Sequence, residues 1–292
     1  MMEASGLYQS PERTKLPRRD DLFHRAMACF GRGVEMVGLG NRGRANALDL
    51  QDRQLTITSS VLPEAFEGYR ILHLTDLHLD ALPGLGDRLA EQLKGREVDL
   101  CVMTGDYRMG DDGPFEQIME PMAKILDAVK ARDGVVATLG NHDDHRMGEA
   151  FEARLGIRLL CNERHVLRRG GGALSITGTD DVNRFYSTDA DAALKPPVEG
   201  FGLALVHSPE LAQEAAEAGH HLYLCGHTHG GQICLPGGRP LVTHLTRNKD
   251  LARGLWQLGG MQGYTSPGAG TSGLPYRFFS RGEVTTIDLK RG

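Results

Sequence analysis

The sequence predicts an α/β protein in which helices bury a β-sheet, and three observations carry that expectation. At 292 residues, with 40% hydrophobic and 24% charged side chains, the chain has enough apolar material for a large core. From Leu55 onward, short apolar runs of strand type alternate with segments of helical period, the order expected of a sheet covered by helices. Clusters of Asp, Asn and His directly follow several strand-type runs, and open α/β sheets collect their ligands at such strand ends.

The elements follow in order. Residues 1–20 are polar and broken by proline, which argues against an ordered element. Leu22, Phe23, Ala26, Met27, Phe30, Val34 and Val37 then recur at helical spacing behind Asp20 or Asp21 as a cap. They predict an amphipathic helix, which Gly31 and Gly33 weaken by about 1 kcal/mol each relative to Ala. Gly40-Asn41-Arg42-Gly43 reads as a loop. Leu55 and Ile57 alternate with Thr56 and Thr58 as a half-buried strand, and Tyr69–Leu74 forms another beyond Pro63 and Gly68. Helical spacing then covers 87–94, 114–131, 147–154 and 209–218. Strand patterns cover 98–104, 134–139, 157–168, 173–178, 201–206, 221–225 and 284–289. The last third is otherwise glycine-rich. Residues 1–52 read as an N-terminal extension and 53–292 as the main domain.

A net charge of −5 gives no global basic field, so a nucleic-acid duplex is not an expected partner. Residues 1–44 differ, with eight Lys/Arg against five Asp/Glu. The segment 18–37, with Arg18, Arg19, Arg25 and Arg32 beside its apolar face, suits peripheral docking on a membrane. A helix simply packed on the domain is the plainer reading. Five scattered cysteines with no C-x-x-C pair point to reduced thiols and a cytoplasmic location, at the inner membrane if the helix docks. No run approaches the roughly 20 apolar residues that span a bilayer, and the first residues lack a signal-peptide pattern. Oligomeric state is not encoded in any pattern of the sequence.

The chemistry resides in Asp76-Leu77-His78, Gly105-Asp106, Gly140-Asn141-His142-Asp143, His207 and Gly226-His227-Thr228-His229. Carboxylate, amide oxygen and imidazole suit Mn, Fe or Zn, and no cysteine lies in these clusters. In D-x-H and H-x-H, residues two apart on an extended segment project to one side and can grip one ion or two adjacent ions. Each cluster alone is ordinary turn chemistry. Five of them at strand ends, with compatible donors, imply a single two-metal site.

The ordered series D-x-H, G-D, G-N-H-D, H, G-H-x-H resembles the calcineurin-like metallophosphoesterase superfamily from about Leu55 to the end. Leu62-Pro63 before Gly-Tyr-Arg-Ile, the string Gly-His-Thr-His-Gly-Gly-Gln at 226–232 and Leu-Pro-Tyr-Arg-Phe-Phe at 274–279 resemble one bacterial branch. That branch holds phosphodiesterase-like enzymes and a UDP-2,3-diacylglucosamine pyrophosphatase of lipid A synthesis. The resemblance implies two stacked mixed β-sheets flanked by helices, a four-layer αββα sandwich. It implies two divalent or trivalent ions (Mn, Fe or Zn). Asp76, His78 and His229 would hold the first, Asn141, His207 and His227 the second, and Asp106 would bridge with one oxygen to each.

It further implies hydrolysis of a small-molecule or lipid-linked phosphate by a metal-bridging hydroxide, with His142 as proton donor. Relatives that act on phosphoproteins carry a carboxylate where Met109 stands, so the group that orients His142 is not legible and phosphoproteins are not expected substrates. Asp143 or Asp144 could substitute as that carboxylate, though both read first as turn formers. Arg108 and His145 are weaker candidates for substrate contact, as are Arg277 and Arg281. His73, His220 and His221 read as structural. The competing reading from another class is a metal-binding scaffold without catalysis.

Overall fold

The computed structural model describes residues 21–110, 114–183, 188–195 and 198–292. In chain order these form α1 (Asp21–Met36), α2 (Gly40–Leu48), β1 (Gln51–Thr58), β2 (Arg70–Leu74), α3 (Leu85–Leu93), β3 (Arg96–Val98), β4 (Leu100–Thr104) and α4 (Glu116–Asp127). There follow β5 (Val129–Ala131), β6 (Val135–Thr138), α5 (Arg146–Leu155), β7 (Ile157–Leu159), β8 (Glu163–Arg169), β9 (Gly172–Gly178), α6 (Thr188–Leu194), β10 (Phe201–Leu205) and α7 (Ala212–Glu217). The chain closes with β11 (Leu222–Cys225), β12 (Cys234–Leu235), β13 (Arg239–Pro240), β14 (Gly254–Leu258), β15 (Met261–Thr265) and β16 (Glu283–Lys290).

The strands build two mixed six-stranded sheets, β1-β16-β2-β4-β6-β7 and β14-β15-β11-β10-β9-β8. In the first, β2, β4 and β6 run parallel; in the second, β9, β10 and β11 do. Strand alternation sorts the side chains into layers. Ile71, Leu100 and Val102 face inward to meet Leu174, Leu203, Leu205 and Leu224 of the other sheet. Leu72, Cys101 and Met103 face outward onto Leu89, Met122, Ile125 and Phe151 of α3, α4 and α5. Ala204, Val206 and Tyr223 meet Leu194 of α6 and Ala212 and Ala215 of α7. The result is the four-layer αββα sandwich.

Four expectations from the sequence are corrected. Gly40–Gly43 is not a loop but the first turn of α2. Gly43 is buried where an added Cβ would lie 2.9 Å from the Phe278 ring, so close packing, not propensity, holds this helix. The run 157–168 is two strands in different sheets. Left-handed Asn162, at φ 61°, turns the chain from β7 in the first sheet to β8 in the second. The helix expected to 131 stops at Asp127, and Val129–Ala131 pairs as β5 with β3. The glycine-rich last third also contains β14 and β15, where Gly263 opposes Trp256 and leaves room for its indole.

The capping residue Asp20 and the arginines Arg18 and Arg19 lie outside the described residues. Within α1, Gly31 and Val34 are buried and Gly31 sits against Leu274, while Phe30 and Met36, with Val37 and Leu39 just beyond the helix, stay exposed. Glu35 reaches across to Arg44 and Tyr276. No helix among the described residues is long and apolar enough to cross a membrane. All five cysteines are free thiols.

Candidate metal centre

Five parallel strands end at one place: β2, β4 and β6 from the first sheet, β10 and β11 from the second. The residues just beyond their carboxyl ends are those singled out above. Asp76, His78, Asp106, His207 and His229 are at most 5% exposed, and His142 is 8% exposed.

They gather into two adjoining nests. In the first, His78 Nε2 lies 3.3 Å from His229 Nε2, and His229 Nε2 lies 3.4 Å from Asp76 Oδ1. In the second, Asn141 Oδ1 is 3.1 Å from His207 Nε2 and 2.9 Å from His227 Nδ1, with the two imidazole nitrogens 3.2 Å apart. Asp106 stands between them. Its Oδ2 is 3.5 Å from His78 Nε2 and 3.3 Å from His207 Nε2. Its Oδ1 instead accepts the His142 backbone N–H at 2.9 Å. Thus one oxygen faces both nests, where one oxygen to each was expected.

The donors fit cations. Ligand bonds near 2.1 Å put neighbouring donors about 3.0–3.4 Å apart, close to the separations seen in both nests. The ring tautomers are set from behind: His78 Nδ1 faces the Arg108 carbonyl at 2.8 Å and His207 Nδ1 the Thr104 carbonyl at 2.7 Å. If each Nδ1 donates there, each Nε2 presents its lone pair to a nest. Burial takes His78 down to about 4 and His227 to about 3, and holds His229 well below its ordinary range, so these rings are neutral donors at pH 7. Burial lifts Asp76 to about 7. It would lift Asp106 too, but His207 and His142 hold that carboxyl well below the usual range. His207 moves the other way, well above its usual value, because Asp106 outweighs the burial that opposes its charge.

The backbone supplies the convergence. Asp76, His78, Asp106, His227 and His229 all have positive φ, between 39° and 72°. These left-handed positions, not the alternation of an extended strand, bring the D-x-H and H-x-H side chains inward. His227 and His229 consequently serve different nests. Positive φ is uncommon outside glycine and tends to cluster where function holds the backbone in place. Glycine gives the remaining clearance: a Cβ on Gly226 would lie 2.0 Å from Asp76 Oδ2, and one on Gly140 2.3 Å from Asp106 Oδ1.

The weaker candidates separate. His142 lies beside the first nest with its ring edge-on to His78 at 5.2 Å, and its Nδ1 lies 2.8 Å from the Met109 carbonyl. Met109 therefore orients this ring through its backbone, a role no side-chain pattern could reveal. Arg108 is 1% exposed, and its Nε donates to the His142 carbonyl at 3.1 Å. His145 turns toward Asp180 and Cys161. Asp143 accepts the backbone N–H groups of Asp106, Tyr107 and Gly140, and Asp144 that of Arg146, as turn formers do. Arg281 pairs with Asp49 at the surface. His73, His220 and His221 are held within the fold by Thr104, Ala215 and the Gly202 N–H.

Arg277 is a component that sequence reasoning misread. It is fully buried and donates only to backbone carbonyls, including that of His229 at 3.1 Å, so it braces the nest instead of reaching for an anion. Gln232 likewise clasps Ser272 and Leu274. The 226–232 and 274–279 strings are therefore two halves of one latch.

A family model described as calcineurin-like phosphoesterase matches residues 69–231, spanning every residue of both nests. The chain belongs to this family. Among relatives of this calcineurin-like phosphoesterase, the metallophosphoesterase YkuE of Bacillus subtilis is 31% identical over 86% of this chain and 90% of its own. YkoQ of the same organism is 30% identical over 84% and 92%. The phosphodiesterase YaeI of Escherichia coli is 29% identical over 76% and 82%. Fold, family and the clustered ligands make the protein a metal-dependent hydrolase of phosphoric ester or anhydride bonds.

Proposed function

We propose that the protein hydrolyses phosphodiesters or pyrophosphates of small molecules at a dinuclear site held by Asp76, His78, His229, Asn141, His207 and His227, with Asp106 shared. The observation that carries this is the position of Asp106 Oδ2, within 3.5 Å of a donor from each nest. When bound, two cations would supply the Lewis acidity that lowers the pKa of a shared water and neutralises the phosphoryl oxygens. The chain's own part is to fix both nests by backbone, to exclude bulk water by burial, and to place His142 at the rim. With Nδ1 directed at the Met109 carbonyl, His142 would pass its Nε2 proton to the departing oxygen. The donor set does not choose among Mn, Fe and Zn.

Hydrolysis of bis-p-nitrophenyl phosphate by Mn-loaded protein tests the reading. Asp106→Asn should abolish it together with binding of the metal pair. His142→Ala should slow alkyl diesters by about 10²–10⁴-fold and nitrophenyl esters far less. Equal losses on both would remove the proton-donor role. Full metal loading of the unaltered protein without turnover on any diester or pyrophosphate would favour a metal-binding scaffold.

A second reading places a lipid-linked nucleotide at a membrane surface, such as UDP-2,3-diacylglucosamine. The exposure of Phe30, Met36, Val37 and Leu39 beside Arg25 and Arg32 supports it. Replacing Phe30, Met36 and Val37 by Ser in the full chain should then end co-sedimentation with anionic vesicles. Negligible binding by the unaltered protein would discard this reading.

A further inference from the structure

A second group of donors stands apart from the nests, where the chain crosses between the sheets. His145 immediately precedes α5, Cys161 follows β7 in the first sheet, and Asp180 follows β9 in the second. One donor atom from each lies within 4.8 Å of the other two. His145 Nε2 is 3.2 Å from Asp180 Oδ2, and its Nδ1 is 4.0 Å from Cys161 Sγ. Cys161 is 4% and Asp180 5% exposed, while the His145 side chain, at 13%, leaves a path from solvent.

The loop is fixed before any ligand arrives. Asp180 Oδ1 accepts the Asp181 N–H at 2.8 Å, and Asn162 Oδ1 accepts the Asp180 N–H at 2.9 Å. Asn162 is also the left-handed residue that turns the chain out of β7. The carboxylate comes from the second sheet and the thiol from the first, and one ligand atom of each lies within 4.8 Å of the other and of one imidazole nitrogen.

We propose that His145, Cys161 and Asp180 form a third, mononuclear cation site, selective for a thiophilic divalent ion such as zinc. On binding, the Cys161 thiol proton leaves to solvent and a sulfur–metal bond forms. One thiolate and one carboxylate then cancel the charge of the ion, and neutral His145 completes a three-donor set open to a water. Zinc takes its donors about 3.3–3.6 Å apart; His145 Nε2 and Asp180 Oδ2, at 3.2 Å, are close to that spacing, and the Cys161 sulfur, in a three-atom set all within 4.8 Å, would have to draw inward to close the third side. Such an ion would staple the two sheets at their ligand-bearing ends. The nests carry only nitrogen and oxygen donors, so sulfur distinguishes this site from them.

The test uses full-length protein whose nests are first filled with manganese, titrated with cadmium and, separately, with zinc. The expected result is an ultraviolet thiolate-to-cadmium charge-transfer band, and one more bound zinc than the nests account for. Cys161→Ser should lose both while keeping its manganese-supported hydrolysis. Cys234→Ser should retain both. Asp180→Asn, which preserves the loop's hydrogen bonds, should weaken cadmium binding more than about tenfold, since an anionic ligand counts for more than an outer-sphere partner. It decides the matter if Cys161→Ser fails to fold. Absence of the band in the unaltered protein, its survival in Cys161→Ser, or unchanged cadmium affinity in Asp180→Asn overturns the proposal.

Discussion

Replacing Arg277 should unfold the protein far more readily than its distance from any substrate suggests. Its guanidinium makes six hydrogen bonds to the carbonyls of Gly270, His229, Arg281, Pro267 and Gly268, between 2.7 and 3.4 Å. Burial lowers it only to about 10, so it remains charged at neutral pH. In Arg277→Met, the four carbonyls bonded at 3.2 Å or less lose a charged donor at about 1 kcal/mol or more each, partly offset by not burying a cation. A net loss of about 3–5 kcal/mol follows, or roughly 5–8 °C in Tm for a chain of this size. Arg277→Lys keeps the charge but presents three donors without the planar fork, and should lose about half as much. Urea unfolding of chelator-treated protein measures the effect without contribution from bound metal. Because one of those carbonyls belongs to His229, metal affinity of the first nest should fall as well. A loss below about 1 kcal/mol in Arg277→Met would refute the bracing role.

Two further outcomes follow from the same geometry. Gly226→Ala should lower manganese affinity by about 10–100-fold without unfolding the chain, because its Cβ would intrude on Asp76 and Thr75; calorimetric titration with manganese checks this. Burial holds His73 down to about 3, below its unfolded value near 6.5, so its contribution is complete above pH 6.5 and is lost as pH falls toward 3. Metal-free protein should therefore lose about 2 kcal/mol more between pH 7 and pH 5 than His73→Gln does, as urea midpoints at the two pH values would reveal.

The parts of the fold legible in the sequence are those in which side-chain pattern and backbone agree. Leu100–Thr104 is a buried strand and reads as one; Leu85–Leu93 is amphipathic and reads as a helix. The illegible parts are those where a single close approach decides. Nothing local reveals that Gly263 lies beneath Trp256, or that Asn162 sends a continuous apolar pattern into a second sheet. The centre divides similarly. Donor types and their positions after strands are written in the sequence. That His227 and His229 part company, that Met109 orients His142 by its carbonyl, and that Arg277 is consumed by carbonyls are all properties of backbone placement.

The left-handed positions beneath five of the residues proposed to hold metal carry a consequence for any attempt to change it. Apart from glycine, the residues that tolerate such a backbone best are Asp, Asn and His. Those are also the only kinds found in the two nests. Glutamate or cysteine could ligate as strongly, yet at Asp76 or His229 either would first have to pay the conformational cost of a residue ill-suited to that dihedral. Preference for one ion over another is therefore constrained twice, and attempts to retune it should begin at Asn141 and His207, where no positive dihedral restricts the choice.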